Sequence, residues 1–379
     1  HDRLWLKFAL KLPVWDVVWT QPKTVMATIT TPLTELLGIK CPIMLAGMNG
    51  VSHSDLAAAV SNAGGIGSIG GLTMTPKVLR QEIKFLKDGL TDKSLPFGID
   101  LAIPQVGGNA RKTNHDYTHG NLPELIDIIV EEKTKLFICA VGVPPKWAVD
   151  KLHAGGVVVA NMVGSVRNTE KALEAGADIV IAQGSEGGGH TGDIGTMPLI
   201  PQVVDACKGK MGAFGVPVVC VAAGGIFDGR GMAAALSLGA HGVWIGTRFI
   251  CAEESSAPQS HRDKVLKASS ADTIRTLVLS GRPLRLIPND YVKGWESQPD
   301  KIKEFCDKGV VPIEHDLKNN MGNDEDGKLK KGIFDAVNSL AGQAAGGVHA
   351  VEPAKKIIDD MMAEAINMIQ GSALRVSKL

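Results

Sequence analysis

At 379 residues the chain is longer than one ordinary compact domain, and 44% apolar with 21% charged residues allows a large core and argues against disorder. Its formal net charge is zero, so nothing pulls it generally toward nucleic acid or an anionic membrane, and no apolar stretch reaches the ~20 residues of a membrane span. Glycine is abundant, at 44 residues, and clusters at the ends of apolar runs, where bare backbone can approach a ligand closely. The six cysteines, Cys41, Cys139, Cys207, Cys220, Cys251 and Cys306, form no CxxC pair and lie in or beside apolar runs. They read as reduced core thiols of an intracellular, cytoplasmic protein rather than a zinc or disulfide framework.

In chain order, His1 to Val25 carry three of the six tryptophans and run into Met26, where MATITTPLTELLG reads as a natural start. The earlier apolar stretch is broken by Lys11, Pro13 and Asp16, which argues against a signal peptide; it is set aside as an extension. From Lys40 onward short apolar runs bounded by glycine or proline predict buried parallel strands at Pro42–Met48, Gly65–Ile69, Phe97–Ile103, Leu136–Val141, Val157–Met162, Ile179–Gln183, Pro217–Ala223 and Gly242–Phe249. Helical spacing falls between them at Ser54–Asn62, Pro76–Leu86, Pro123–Glu132, Lys146–His153, Thr169–Ala175, Pro198–Lys208 and Gly229–Leu238. Eight strands alternating with helices predict an α/β fold of the closed (β/α)8 TIM-barrel type; an open Rossmann-like sheet is the alternative. After Cys251 the rhythm stops. The division expected is an extension at 1–32, a barrel at 33–255, a smaller helical capping region at 256–340, and a segment at 341–379 that packs back on the barrel. The mixed-charge stretch NNMGNDEDGKLKKG reads as an exposed connection.

Barrel active sites form at the carboxyl ends of the strands, with phosphate usually held after the seventh and eighth. Strand seven ends in Ala223-Gly224-Gly225, followed by FDGRG opening a helix, and strand eight in Gly246-Thr247. Two adjacent bare turns, one at a helix amino end, point to a phosphate cradle, with tight turning as the plainer alternative. Strand one ends in Ala46-Gly47-Met48, open enough for a flat ring, although Met48 alone would pass for core. After strand six comes a loop, Gln183 to Gly192, whose glycines include Gly188 and Gly189 and which delivers His190, suited to proton exchange near neutral pH. A lone loop histidine is usually a surface residue; this one shares the predicted mouth with the phosphate turns. His115 and His119 flank Asp116 in a polar loop and read as loop residues, so no metal site is expected. The loop Gln105–Asn121 is expected to cover part of the mouth.

Together PIMLAGM, the glycine loop ending in His190, AAGGIFDGRG and GTRF resemble the nitronate monooxygenases (2-nitropropane dioxygenases), in particular their fungal-type branch, over roughly residues 33–370. The resemblance implies FMN as cofactor. Ala46, Gly47 and Met48 match its first flavin-contacting segment, and Gln183, Gly188 and Gly189 the positions beside the ring and ribityl chain. Ala223, Gly224, Gly225, Gly246 and Thr247 match the phosphate cradle, and His190 the catalytic base and a flavin contact. AGQAAGG at 341–347 resembles a late segment that returns to the flavin. The implied reaction joins an alkyl nitronate or nitroalkane with O2 through a flavin semiquinone, leaving a carbonyl compound and nitrite. His190 removes the α-proton of the neutral nitroalkane. The chain departs from bacterial relatives at Asn161-Met162, where they carry Lys, and at Asp100, where they carry Asn. An FMN-dependent enoyl-carrier-protein reductase and a flavin-binding protein without turnover are the alternatives. No partner chain is demanded, and the oligomeric state is left open.

Overall fold

The computed structural model describes residues 28–320 and 328–376. The expected extension, up to residue 27, and part of the mixed-charge connection lie outside the described residues. Eight parallel strands form one sheet: β1 Ile43–Leu45, β2 Gly67–Gly70, β3 Phe97–Ala102, β4 Leu136–Ala140, β5 Val158–Val163, β6 Ile179–Gln183, β7 Val219–Ala223 and β8 Val243–Ile245. β8 pairs with both β7 and β1. The ring closes between β1 and β2, where the Leu45 N–H donates to the Ile66 carbonyl at 2.9 Å and the Ile66 N–H to that of Ile43 at 3.0 Å. The fold is the (β/α)8 barrel.

Strand alternation divides the apolar residues into two shells. Ile43, Leu45, Phe137, Cys139, Val159, Val180, Cys220 and Val243 face out and pack with the surrounding helices. Met44, Leu136, Ile138, Val158, Ile179, Ile181, Val219, Val221 and Trp244 face in and fill the barrel. The helix Pro32–Leu37, capped by Thr31, sends Leu33 and Leu37 into that interior cluster and so closes its amino end. At the opposite rim the inward positions shrink: Ala46, Gly70, Ala140, Ala223 and Gly246 stand where one layer deeper there are mostly branched or larger side chains. That change opens a cavity on the carboxyl side.

Two strands end three or more residues earlier than their apolar runs predict. β1 stops at Leu45 because the Met48 N–H turns to the Ser52 hydroxyl, 2.7 Å away. β8 covers Val243–Ile245 rather than Gly242–Phe249; Gly246 leaves the extended conformation and Thr247–Ile250 is a short helical turn. Apolarity persists through Phe249 because that turn is itself buried.

Beyond the barrel lie helices Gln259–Lys267, Asp290–Glu296, Pro299–Asp307, Pro312–Asn320 and Lys328–Val337, together with an antiparallel hairpin of Ile274–Thr276 and Leu284–Leu286. The hairpin was not foreseen. Its second strand pairs with Gly189–His190, with Leu284 opposite His190, so this region is laced directly to the glycine-rich loop. The last helix, Ala354–Ala373, buries Ile357, Ile358, Met361 and Ala365, and its Glu364 carboxylate accepts the Gly229 N–H at 2.8 Å.

The amino end of the barrel depends on Asp178, which is almost fully buried. Its carboxylate accepts the N–H groups of Val159 at 2.9 Å and Ala213 at 2.8 Å and meets His153 Nε2 at 2.9 Å. Asp178→Ala would orphan two N–H groups and should lower unfolding free energy by about 2–4 kcal/mol in urea titration. A loss below about 0.5 kcal/mol, the range of ordinary surface changes, would contradict this lock.

Candidate active site

The cavity above the barrel measures about 1140 Å³ and is bounded by residues from all eight strand ends. It collects every residue singled out from the sequence: Ala46, Gly47 and Met48; Gln183, Gly188, Gly189 and His190; Ala223, Gly224 and Gly225; and Gly246 and Thr247. Gln105, Ala110, Arg111, Asn114 and Tyr117 of the long loop after β3 line it as well.

The turn after β7 requires glycine: Gly224 has φ +96° and Gly225 φ +73°, in the left-handed region that side-chain-bearing residues rarely adopt. Among the described residues, the N–H groups of Gly224, Gly225, Gly246 and Thr247 find no acceptor in the protein's turns, loops or caps. Buried N–H groups are normally paired, so unclaimed donors at two adjacent strand ends suit an oxyanion. The helix opened by FDGRG supplies less than its sequence suggests. Its Gly229 N–H goes to Glu364 and its Gly231 N–H to the Asp228 carboxylate at 2.8 Å, so two donors of that amino end are already taken. The Thr247 hydroxyl oxygen accepts the Gly342 N–H at 2.9 Å, leaving its own proton free to donate. Gly342 also sits against Gly188, where an added Cβ would come within 2.7 Å of the Gly342 nitrogen.

His190 is held from two sides. The hairpin ladder fixes its backbone from above, and the Gln183 side-chain amide donates to its carbonyl at 2.8 Å from the barrel. Gln183 thus anchors the loop, in addition to facing the cavity. His190 Nε2 lies 2.8 Å from the Ser280 hydroxyl. Burial and the nearby Arg282 guanidinium push the imidazole down to about 4, so it is neutral at physiological pH and ready to accept a proton. Arg282 itself donates to the Asn114 side chain at 3.0 Å and to the Val141 carbonyl at 2.9 Å. Val141 adopts φ +70°, a strained conformation for a β-branched residue, at the end of β4. Sequence reasoning missed Ser280 and Arg282, because no spacing links the SGR segment to a loop ~90 residues earlier; only the hairpin brings them together.

Near the floor, Asp100 projects inward from β3 against Gly47, where any Cβ would lie 2.3 Å from the Asp100 carboxyl. The contact explains why position 47 is glycine. Asn161 is buried on β5 and its amide donates to the Gly142 carbonyl at 2.9 Å. His115 and His119 are exposed, and no group of His, Cys, Asp and Glu among the described residues is arranged to hold a metal. No described helix is long and apolar enough to cross a membrane.

The profile of the nitronate monooxygenase family matches residues 30–364. The chain belongs to that family. Among curated relatives, it is 36% identical over 327 residues to the "Probable nitronate monooxygenase" of Staphylococcus haemolyticus, covering 76% of this chain and 85% of that protein. It is 39% identical over 271 residues to the (3aS,4S,5R,7aS)-5-hydroxy-7a-methyl-1-oxo-octahydro-1H-indene-4-carboxyl-CoA dehydrogenase of Rhodococcus jostii, covering 72% of this chain and 69% of that protein. Among solved structures it resembles nitroalkane oxidase from Streptomyces ansochromogenes, at TM-score 0.71 and 26% identity over 90% of this chain and 99% of that one. FabK from Thermotoga maritima gives TM-score 0.72 and 31% identity over 92% and 100%. This member of the nitronate monooxygenase family is therefore an oxidoreductase on a TIM barrel.

The state of His190 is measurable. Its depressed pKa means the folded protein refuses a proton that the unfolded chain accepts, so its contribution to stability is complete above 6.5 and drains away as pH falls toward about 4. Histidine NMR of the protein should show two imidazoles titrating far below the others, those of the buried His261 and of His190; the one absent from His190→Asn identifies the His190 titration. Arg282→Met should move that titration upward, since one of its two causes is removed. A His190 signal titrating near 6.5 in the unsubstituted protein would contradict the enclosure described.

Proposed function

We propose that this chain binds FMN across the barrel mouth and uses it to oxidise alkyl nitronates with O2 to carbonyl compounds and nitrite. The observation that carries the reading is the set of unclaimed N–H groups of Gly224, Gly225, Gly246 and Thr247 beside a rim of alanine and glycine, with His190 on the same cavity. Those residues fit a phosphate and a flat ring: the former needs converging donors, the latter a floor without side chains. FMN, when bound, supplies the capacity to accept electrons from the nitronate and pass them to oxygen. Two nitronate anions and one O2 balance two carbonyls and two nitrites, so no external reductant is required.

The chain's own residues then bind, orient and deprotonate. The Arg282 guanidinium lines the cavity and spends its hydrogen bonds on neutral partners, the Asn114 side chain and the Val141 carbonyl, which leaves its charge available to an anionic nitronate there. For a neutral nitroalkane, His190 accepts the α-proton, with Ser280 fixing the ring through Nε2 and leaving the other nitrogen to act. A nearby positive charge weakens the imidazole as a base yet stabilises the nitronate it produces. Burial of the pair limits water at that step.

A second reading draws on the size of the cavity. At about 1140 Å³ it exceeds the ~300–1,000 Å³ of common ligand sites, and Arg111 and Lys171 stand on its lining. Those features suit a larger substrate with an anionic tail, of the acyl-CoA kind named for the Rhodococcus relative.

His190→Asn separates the two substrate forms. Turnover of a neutral nitroalkane should fall by about 10²–10⁴-fold, whereas the matching nitronate, already lacking the proton, should lose far less. Nitrite release with FMN still bound is the measurement. Equal losses on both substrates would assign His190 to anion positioning instead, and flavin bleached anaerobically by an acyl-CoA but not by nitronate would favour the second reading.

A further inference from the structure

The barrel floor carries one charged side chain that the reaction above does not use. Along the inward faces of the strands the residues are apolar, small or neutral, with Asp100 on β3 the exception. Its inward direction follows from alternation, since Phe97, Ile99 and Leu101 belong to the outer shell. Asp100 is only 6% exposed and lines the cavity, so the access it keeps is to the ligand space. Its carboxyl presses on Gly47, in the segment assigned to the flavin ring.

The surroundings offer the carboxyl no compensation. Among the described residues no hydrogen bond or ion pair reaches its side chain; its backbone is held in the sheet, the carbonyl accepting the Gly71 N–H at 2.8 Å. The elements packed against it are the β1 end with Gly47 and Met48, the β2 end with Gly70 and Gly71, and β4 with Ile138 and Cys139. Of these only the Cys139 thiol titrates, and burial beside Asp100 drives it upward, so it stays neutral. His190, Arg282, Arg111 and Tyr117 belong to the same cavity, but none pairs with the carboxyl. An isolated buried carboxylate is strongly disfavoured, and such a group takes up a proton instead.

We propose that Asp100 is a carboxylic acid in the working enzyme, that it donates its O–H into the flavin space above Gly47, and that its proton sets how readily the flavin is reduced. The proposal rests on the flavin reading above. Burial pushes Asp100 up to about 8. Below that pH the group is neutral and a donor; above it, an uncompensated anion lies beside the ring and opposes the arrival of electrons. The linkage is reciprocal, so reducing the flavin makes the Asp100 proton harder to remove. Asp100 acts here as an electrostatic and positioning residue, distinct from the base His190.

The test is a spectroelectrochemical titration of holoenzyme and its Asp100→Asn variant between about pH 6 and 10, an interval above the ordinary carboxyl range. Asn preserves shape and hydrogen-bonding reach but never ionises. The unsubstituted enzyme should show a steepened fall of midpoint potential as pH rises through about 8, absent in the variant. At the alkaline end the two should differ by at least tenfold in the reduction equilibrium, about 30 mV for a two-electron couple. Infrared difference spectra of the unsubstituted protein supply a second measurement that does not depend on the variant's folding. A carboxylic-acid C=O band should be present at neutral pH and lost in alkali. Parallel potential curves, or absence of that band, would overturn the role given to Asp100. Protein that takes up no flavin would overturn the underlying reading, a result distinguishable from flavin bound with parallel curves.

Discussion

A parallel barrel normally fills its own centre with layers of branched side chains, and this one does so until the last inward layer. There, Ala46, Gly70, Ala140, Ala223 and Gly246 withdraw their bulk, and the core gives way to a cavity floored by backbone. Every feature of the site depends on that withdrawal. Unpaired N–H groups can face the cavity only because Gly224, Gly225 and Gly246 place no side chain over them. Asp100 can sit against strand one only because position 47 lacks a Cβ. The amino end, with no such opening, is sealed by Leu33 and Leu37 and tied by Asp178.

The second determinant is the way the region after residue 256 reaches back. The β-ladder between Leu284–Leu286 and Gly189–His190 places a glycine-rich loop, which would otherwise have wide conformational freedom, in one position. The same connection carries Ser280 to the imidazole and Arg282 to the cavity wall. An electrostatic pattern results: the histidine is kept neutral by burial and a neighbouring cation, and the floor carboxyl is kept neutral by burial alone. The ordinary order of the two groups is inverted, and Arg282 supplies fixed positive charge suited to an anionic substrate.

Much of this is legible without coordinates. Strand alternation and glycine punctuation are local, so the eight strands, the paired turns at Gly224-Gly225 and Gly246-Thr247, and the loop bearing His190 are visible in the chain itself. The expected contact residues all meet on one cavity because a closed barrel brings strand ends together whatever their separation in sequence. What escapes is non-local or depends on burial. Arg282 and Ser280 reach His190 through pairing between segments far apart, and Gln183 gives its amide to the loop. The amino end after FDGRG is occupied by Glu364, which belongs to the last helix. Asp100 stands out in the sequence only as an unexpected residue type; its isolation from any cation is a property of the folded barrel. The premature end of β8 is hidden because Phe249 is as buried in its helical turn as it would be in a strand.

The central claim is that bare backbone at two neighbouring strand ends holds the phosphate of a flavin mononucleotide. The most direct measurement compares the affinity of the flavin-depleted protein for FMN with its affinity for riboflavin, read by fluorescence quenching. Riboflavin shares the ring and ribityl chain but lacks the phosphate. If the N–H groups of Gly224, Gly225, Gly246 and Thr247 are the cradle, loss of charge-assisted hydrogen bonds should weaken binding by about 10²-fold or more, at ~1.5–3 kcal/mol for each such bond. Equal affinity for the two flavins would contradict the account.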